Sequence, residues 1–219
     1  MAEAYVECRQ LGRTYYRGSK PIVALAGVTA AVNAGDRIAV VGPSGGGKST
    51  MLQLMGGLDV PSEGEVLWPA LGERTSLRPR QIGYVFQTQS LLAPLSVVEN
   101  VELPLLMVGE KAEVARTRAL EVLAQLDLAP IADKLPEELS GGQAQRVAVA
   151  RAFVGRPRLI LADEPTGELD HPTAQHLFDV LLAALAGSDT ALVVATHDLA
   201  IARRLPTQWR ISHGRLEAG

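Results

Sequence analysis

Nine residues, Gly42–Thr50 (GPSGGGKST), have the types and spacing of a phosphate cradle. Four of them, Gly42, Gly45, Gly46 and Gly47, let successive backbone N–H groups turn inward around anionic oxygens, with Pro43 and Ser44 between them. Lys48 has the length and charge to reach β- and γ-phosphates, and the Ser49 hydroxyl is suited to hold Mg²⁺, with Thr50 beside it. A helix continuing through MLQLMGG would aim its positive end at the same anion. The implied chemistry is binding of a nucleoside triphosphate.

Two further stretches bear on that chemistry. In Leu159–Pro165 (LILADEP) an apolar run ends in two acids. Asp163 is placed to join a Mg²⁺ site, and Glu164 to polarise a water at the γ-phosphate. In Leu139–Gln143 (LSGGQ), Ser140 is a good N-cap, and Gly141, Gly142 and Gln143 open a second helix whose N-terminus could read an anion. Two separate phosphate-reading helix starts in one chain are more than one nucleotide site needs.

The elements that position these residues follow from periodicity. Short apolar runs at Arg37–Gly42, Gly83–Gln87, Leu159–Glu164 and Ala191–Thr196 read as buried strands, each followed by polar or glycine-rich punctuation. Between them, Ala112–Leu126, Gln143–Val154 and Thr173–Ala186 carry helical spacing. This alternation predicts an α/β fold: a mostly parallel sheet core flanked by helices. Tyr5–Asp36 alternates like antiparallel strands with NAGD as a turn, and Trp209–Gly219 suggests a strand pair turning at His213–Gly214. The helix-rich segment of about residues 90–136 reads as a helical lobe broken by Pro94, Pro104, Pro130 and Pro136.

Composition narrows the class. The chain has 219 residues, 47% hydrophobic but only 4% aromatic, so its core must be aliphatic, as buried parallel strands are. A net charge of −3 argues against a nucleic-acid partner. The small basic cluster Arg74, Arg78 and Arg80 reads as a solvated loop. The single cysteine, Cys8, fits a reducing compartment. The opening residues MAEAYVECRQ do not read as a secretory signal, and no run approaches the ~18–20 apolar residues of a membrane span. The expectation is no direct membrane insertion.

LSGGQ followed by AQRVAVARA resembles the signature of the ABC ATPase family, and the remaining motifs fall in that family's order. The resemblance implies a P-loop NTPase of the ABC cassette type. It has one domain over residues 1–219: a RecA-like core with an antiparallel β part at about 1–89 and 137–219, and a helical lobe at about 90–136. It further implies that Gln87 is the Q-loop glutamine, which touches Mg²⁺ and water at the nucleotide and senses the permease. By the same matching, Asp170 closes the D-loop GELD, His197 contacts the γ-phosphate, and Tyr15 stacks on adenine, with neighbouring Tyr16 able to take that place. Catalysis would rest on Glu164, His197 and Lys48.

The implied cofactors are ATP and Mg²⁺, and the implied partners are a second copy, in an ATP-sandwich homodimer, and an integral membrane permease. The chain would be cytoplasmic, held at the inner face of the membrane through that permease. The stretches VGPSGGGKSTMLQLMGGLDVPSEGEV and ADEPTGELD are most similar to lipoprotein-export and macrolide-export cassettes (LolD/MacB-like), where Asn usually stands at the position of Glu168. An alternative stays open: a signalling cassette of an FtsE/FtsX-like complex that regulates a cell-wall hydrolase without transport.

Overall fold

The computed structural model describes residues 3–88 and 90–217. Its centre is a six-stranded sheet with spatial order β5-β6-β7-β3-β8-β9. The strands are β3 (Arg37–Val41), β5 (Ile82–Val85), β6 (Leu159–Asp163), β7 (Ala191–Ala195), β8 (Thr207–Ser212) and β9 (Arg215–Glu217). Neighbours run parallel except β8 and β9, which form the hairpin expected at His213–Gly214. Strands β6 and β7 are buried along their whole length, which is why both read as unbroken apolar runs.

A second, antiparallel sheet has the order β2-β1-β4, from β1 (Val6–Arg17), β2 (Lys20–Val32) and β4 (Glu63–Leu67). Helix α1 (Lys48–Met55) lies between the two sheets, with Met51, Leu52, Leu54 and Met55 fully buried. Fully burying a side chain of this size is worth about 1.5–3 kcal/mol. Four of them hold the helix that begins at the phosphate cradle.

Strand alternation divides the apolar residues between two cores. Leu159 and Leu161 face α1 and the antiparallel sheet. Ile160 and Ala162 face the opposite layer, with α2 (Val97–Met107), α3 (Ala112–Gln125), α4 (Gly141–Phe153), α5 (His171–Leu185) and α6 (Leu199–Ala202) on that side. Helices α2 and α4 each begin with a capping box, Ser96/Glu99 and Ser140/Gln143. Buried Asn100 donates to the carbonyls of Leu92 and Leu95 and accepts from Leu92 N–H, which ties the segment before α2 to the helix.

Two sequence expectations are corrected. Pro104 does not break the helical segment but sits inside α2, which runs on to Met107. An interior proline costs roughly 3 kcal/mol, and burial of Val97, Val98, Val101 and Leu105 outweighs it. Nor is the basic cluster simply solvated. Arg74 Nε donates to the Gly57 carbonyl at 2.9 Å and Arg78 Nη1 to the Gly56 carbonyl, so two arginines cap the C-terminal end of α1. Arg74 and Arg80 are exposed as expected, Arg74 while also reaching the helix end, and Arg78 is partly buried.

Candidate functional site: a nucleotide-phosphate centre

The cradle leaves the C-terminal end of β3, the strand flanked by β7 and β8. Two of its glycines are required by close approach. A Cβ on Gly42 (φ 155°) would lie 2.0 Å from the Ile211 carbonyl oxygen, and one on Gly47 (φ 109°) 2.5 Å from the Ala24 carbonyl oxygen. Gly46 N–H donates to the Pro43 carbonyl and closes the turn, while Pro43, Ser44 and Gly45 stand exposed. Buried Lys48 lies back across the loop, with Nζ 2.9 Å from the Gly42 carbonyl and 3.1 Å from that of Pro43. Ser49 and Thr50 are half-buried at the start of α1.

The carboxylates meet this loop from β6. Asp163, at the strand end, is buried and faces Ser49 and Lys48. Burial raises its pKa. The nearby Ser49 hydroxyl opposes that, the Glu164 charge adds to it, and the Lys48 charge opposes it. Glu164 is held in a left-handed conformation (φ 49°), its N–H bound to the Ala195 carbonyl at 2.9 Å. For a residue with a side chain this costs of order 1–3 kcal/mol, and it occurs where surrounding structure over-determines the backbone. The Glu164 side chain is 10% exposed, and its Oε2 lies 2.9 Å from Nδ1 of His197. With Glu164 ionised, Nδ1 carries the proton. The fold thus gathers Gly42–Thr50, Asp163, Glu164 and His197 at one edge of the sheet. A cavity of about 310 Å³ lies beside His197, lined in part by Gly42, Pro43 and Arg210.

Other sequence candidates stand apart. Ser140 caps α4, accepting from Gln143 N–H at 3.2 Å, while its own N–H donates to Gln143 Oε1 at 3.0 Å. Ser140 is exposed, and Gly141, Gly142 and Gln143 are partly so. Gly142 packs beside Glu168 and Leu169. Among the described residues no hydrogen bond joins this turn to the phosphate loop. Asp170 caps α5, accepting from Thr173 N–H at 2.9 Å. Gln87 is exposed beyond β5, and no hydrogen bond among the described residues ties it to Ser49 or Asp163.

Tyr15 donates to Asp59 Oδ2 at 2.8 Å, and the Arg13 guanidinium, itself paired with Asp59, lies 4.6 Å over its ring. Tyr16, on the opposite face of the strand, is 73% exposed.

Several contributors were not singled out from the sequence. Gln145 is buried on α4, and its Nε2 lies 3.4 Å from the Glu164 carbonyl; inward helical spacing from Val149 could have marked it as buried. The Arg13–Asp59 pair spans residues too distant to suggest each other. Away from the phosphate loop, an apolar groove of about 300 Å³ runs between the sheet edge and α2, lined by Leu58, Phe86, Leu92, Leu103, Met107 and Arg151, among others. No helix among the described residues is long and apolar enough to cross a membrane.

A phosphate loop after β3, a histidine at the end of the adjacent strand β7 and a buried aspartate and glutamate at the end of β6, one strand further, define an ATP-hydrolysing P-loop enzyme. The ABC transporter family pattern matches residues 25–167, and the chain belongs to that family: it is an ATP-binding subunit with ATPase activity. Among its relatives is the lipoprotein-releasing system ATP-binding protein LolD of Pseudomonas syringae pv. tomato, 43% identical over 98% of this chain and 97% of that protein. LolD of Legionella pneumophila is 42% identical over 100% and 99%. A solved dimeric ATP-binding cassette in a post-hydrolysis state bound to ADP and Pi superposes with a TM-score of 0.91, at 38% identity and 97% coverage of both chains.

Proposed function

We propose that two copies of this chain close head to tail over two ATP molecules, and that this cycle drives an integral membrane permease carried on another chain. The observation that most supports the reading is the exposed, capped N-terminus of α4. It has the form of an anion site yet makes no hydrogen bond to the chain's own phosphate loop, so it suits a partner's nucleotide. Tyr15 or Tyr16 would carry the adenine. Residues 90–136 would form a lobe whose groove receives a cytoplasmic helix of the permease beside Gln87. The chain would then sit at the inner face of the membrane, and the relatives' name supports lipoprotein release as its work.

Ser49 and Asp163 are oxygen donors, and one carboxylate plus substrate phosphates is the usual set for Mg²⁺. Bound there, Mg²⁺ would neutralise charge on the β- and γ-phosphate oxygens. Lys48 exchanges its two carbonyl partners for phosphate oxygens. Glu164 orients the attacking water and accepts its proton, while His197 holds one carboxylate oxygen. Most of the work is positioning and electrostatics, as phosphoryl transfer requires.

The test is capture of tagged Glu164→Gln protein with ATP from detergent-solubilised native membranes. The reading expects a polytopic membrane protein with a large extracytoplasmic domain. Recovery of soluble proteins or nucleic acid alone contradicts it.

A further inference from the structure

Among the described residues, the Tyr84 hydroxyl and Oδ1 of Asp163 are two of four buried side-chain polar atoms without a hydrogen-bond partner. One can donate and the other can only accept when ionised. Their residues are 8% and 4% exposed. Their placement follows from register. Tyr84 on β5 lies opposite Leu161 on β6, and Asp163 is two residues further along β6. Two residues along a strand restores the same face, so Tyr84 and Asp163 are diagonal neighbours on the α1 side of the sheet. Diagonal pairs on adjacent strands lie about 7–8 Å apart at the backbone, within reach of a tyrosine. Gly56 leaves room for the ring: a Cβ there would lie 3.2 Å from Tyr84 Cδ2. Phe86 packs on the ring at 4.5 Å between centroids.

We infer that the Tyr84 hydroxyl donates, through one buried water, to Oδ1 of Asp163, and is so a positioning residue for that carboxylate. A buried hydroxyl and a buried carboxylate oxygen are each costly when unmatched, and pairing them removes both costs at once. With Oδ1 held from the β5 side, the carboxylate plane is fixed and the other oxygen stays turned to Ser49. The pairing itself is independent of the proposed cycle. Only its consequence for a cation at Asp163 rests on that reading.

The sign of one substitution decides the matter. Tyr84→Phe, Asp163→Asn and the double variant are melted without nucleotide and with chelator, which keeps divalent cations off Asp163. A paired hydroxyl predicts that Tyr84→Phe lowers the Tm by roughly 4–8 °C, and that the drop at least halves in the Asp163→Asn background. A merely orphaned hydroxyl predicts the reverse: Tyr84→Phe raises the Tm, or shifts it equally in both backgrounds, and either result overturns the inference. A second readout follows nucleotide binding by fluorescence of a labelled ATP. Tyr84→Phe should raise the Mg²⁺ concentration for half-maximal binding several-fold and leave affinity in chelator unchanged. An unchanged Mg²⁺ dependence overturns the positioning role. If Asp163→Asn itself leaves Mg²⁺ dependence intact, the metal assignment of Asp163 fails, while the melting cycle still judges the pair.

Discussion

Alanine at Gly47 and at Gly45 should have different effects, although the two positions are neighbours in one loop. Gly47 has a φ of 109° and Gly45 a φ of 72°, so each substitution carries a backbone cost, of order 1–3 kcal/mol. They differ in surroundings. A Cβ on Gly45 meets nothing within 4 Å, whereas on Gly47 it lies 2.5 Å from the Ala24 carbonyl oxygen and 2.8 Å from Leu25 Cδ2. The carbonyl belongs to β2 and cannot swing aside as a side chain would. Overpacking of that kind adds about 1–3 kcal/mol. Gly47→Ala should therefore cost about 2–6 kcal/mol. At about 2–4 °C per kcal/mol for a chain of this size, the Tm should fall by roughly 4–24 °C, against roughly 2–12 °C for Gly45→Ala. Thermal unfolding followed by circular dichroism, without nucleotide, measures both. Equal shifts would refute the reasoning, since they would mean that backbone conformation alone fixes the loop and the approach of β2 contributes nothing.

Three other outcomes are expected. Ser140→Ala removes the cap on α4, which should cost about 1 kcal/mol; nucleotide affinity of the isolated chain should hold while steady-state ATP hydrolysis falls roughly ten-fold or more, and normal turnover would count against a role for this turn at a partner's site. Arg78→Ala uncaps the Gly56 carbonyl at the end of α1 and should lower stability by about 1–3 kcal/mol, visible as a lower urea midpoint with unchanged slope. The Glu99 carboxyl is held below its ordinary range by the Ser96 N–H and hydroxyl, so its contribution is present above the unfolded pKa and lost as pH falls through the folded one. Ser96→Ala should therefore cost more at neutral pH than at acid pH, in melts taken from pH 7 down to below the ordinary Glu range.

How far the site was legible depends on what kind of contact makes it. Strands β3, β6 and β7 were readable because both of their faces are buried, which leaves a continuous apolar run in the sequence. The phosphate loop was readable because glycine is required where other backbone approaches, at Gly42 and Gly47. Asp163 and Glu164 could be placed because strand ends open onto that loop. The capping contacts of Arg74 and Arg78 were missed, since a cationic cluster looks the same whether its guanidinium groups meet only water or also the carbonyls that end a helix. Pro104 misled because its local penalty is visible in sequence and the tertiary burial that outweighs it is not. Gln145 against the Glu164 carbonyl and Tyr84 beside Asp163 depend on strand register and helix rotation, which no short-range pattern encodes.

The central claim, that Glu164 drives ATP hydrolysis at a site shared by two copies, is tested most directly by one paired measurement on Glu164→Gln. The variant keeps the size of the side chain and removes its ability to accept a proton. Its steady-state ATPase rate and its size-exclusion elution with and without Mg·ATP are taken together. The account predicts turnover lowered at least a hundred-fold, with retained ATP binding and a stable ATP-dependent dimer. Near-wild-type hydrolysis, or a chain that binds ATP and stays monomeric, would contradict it.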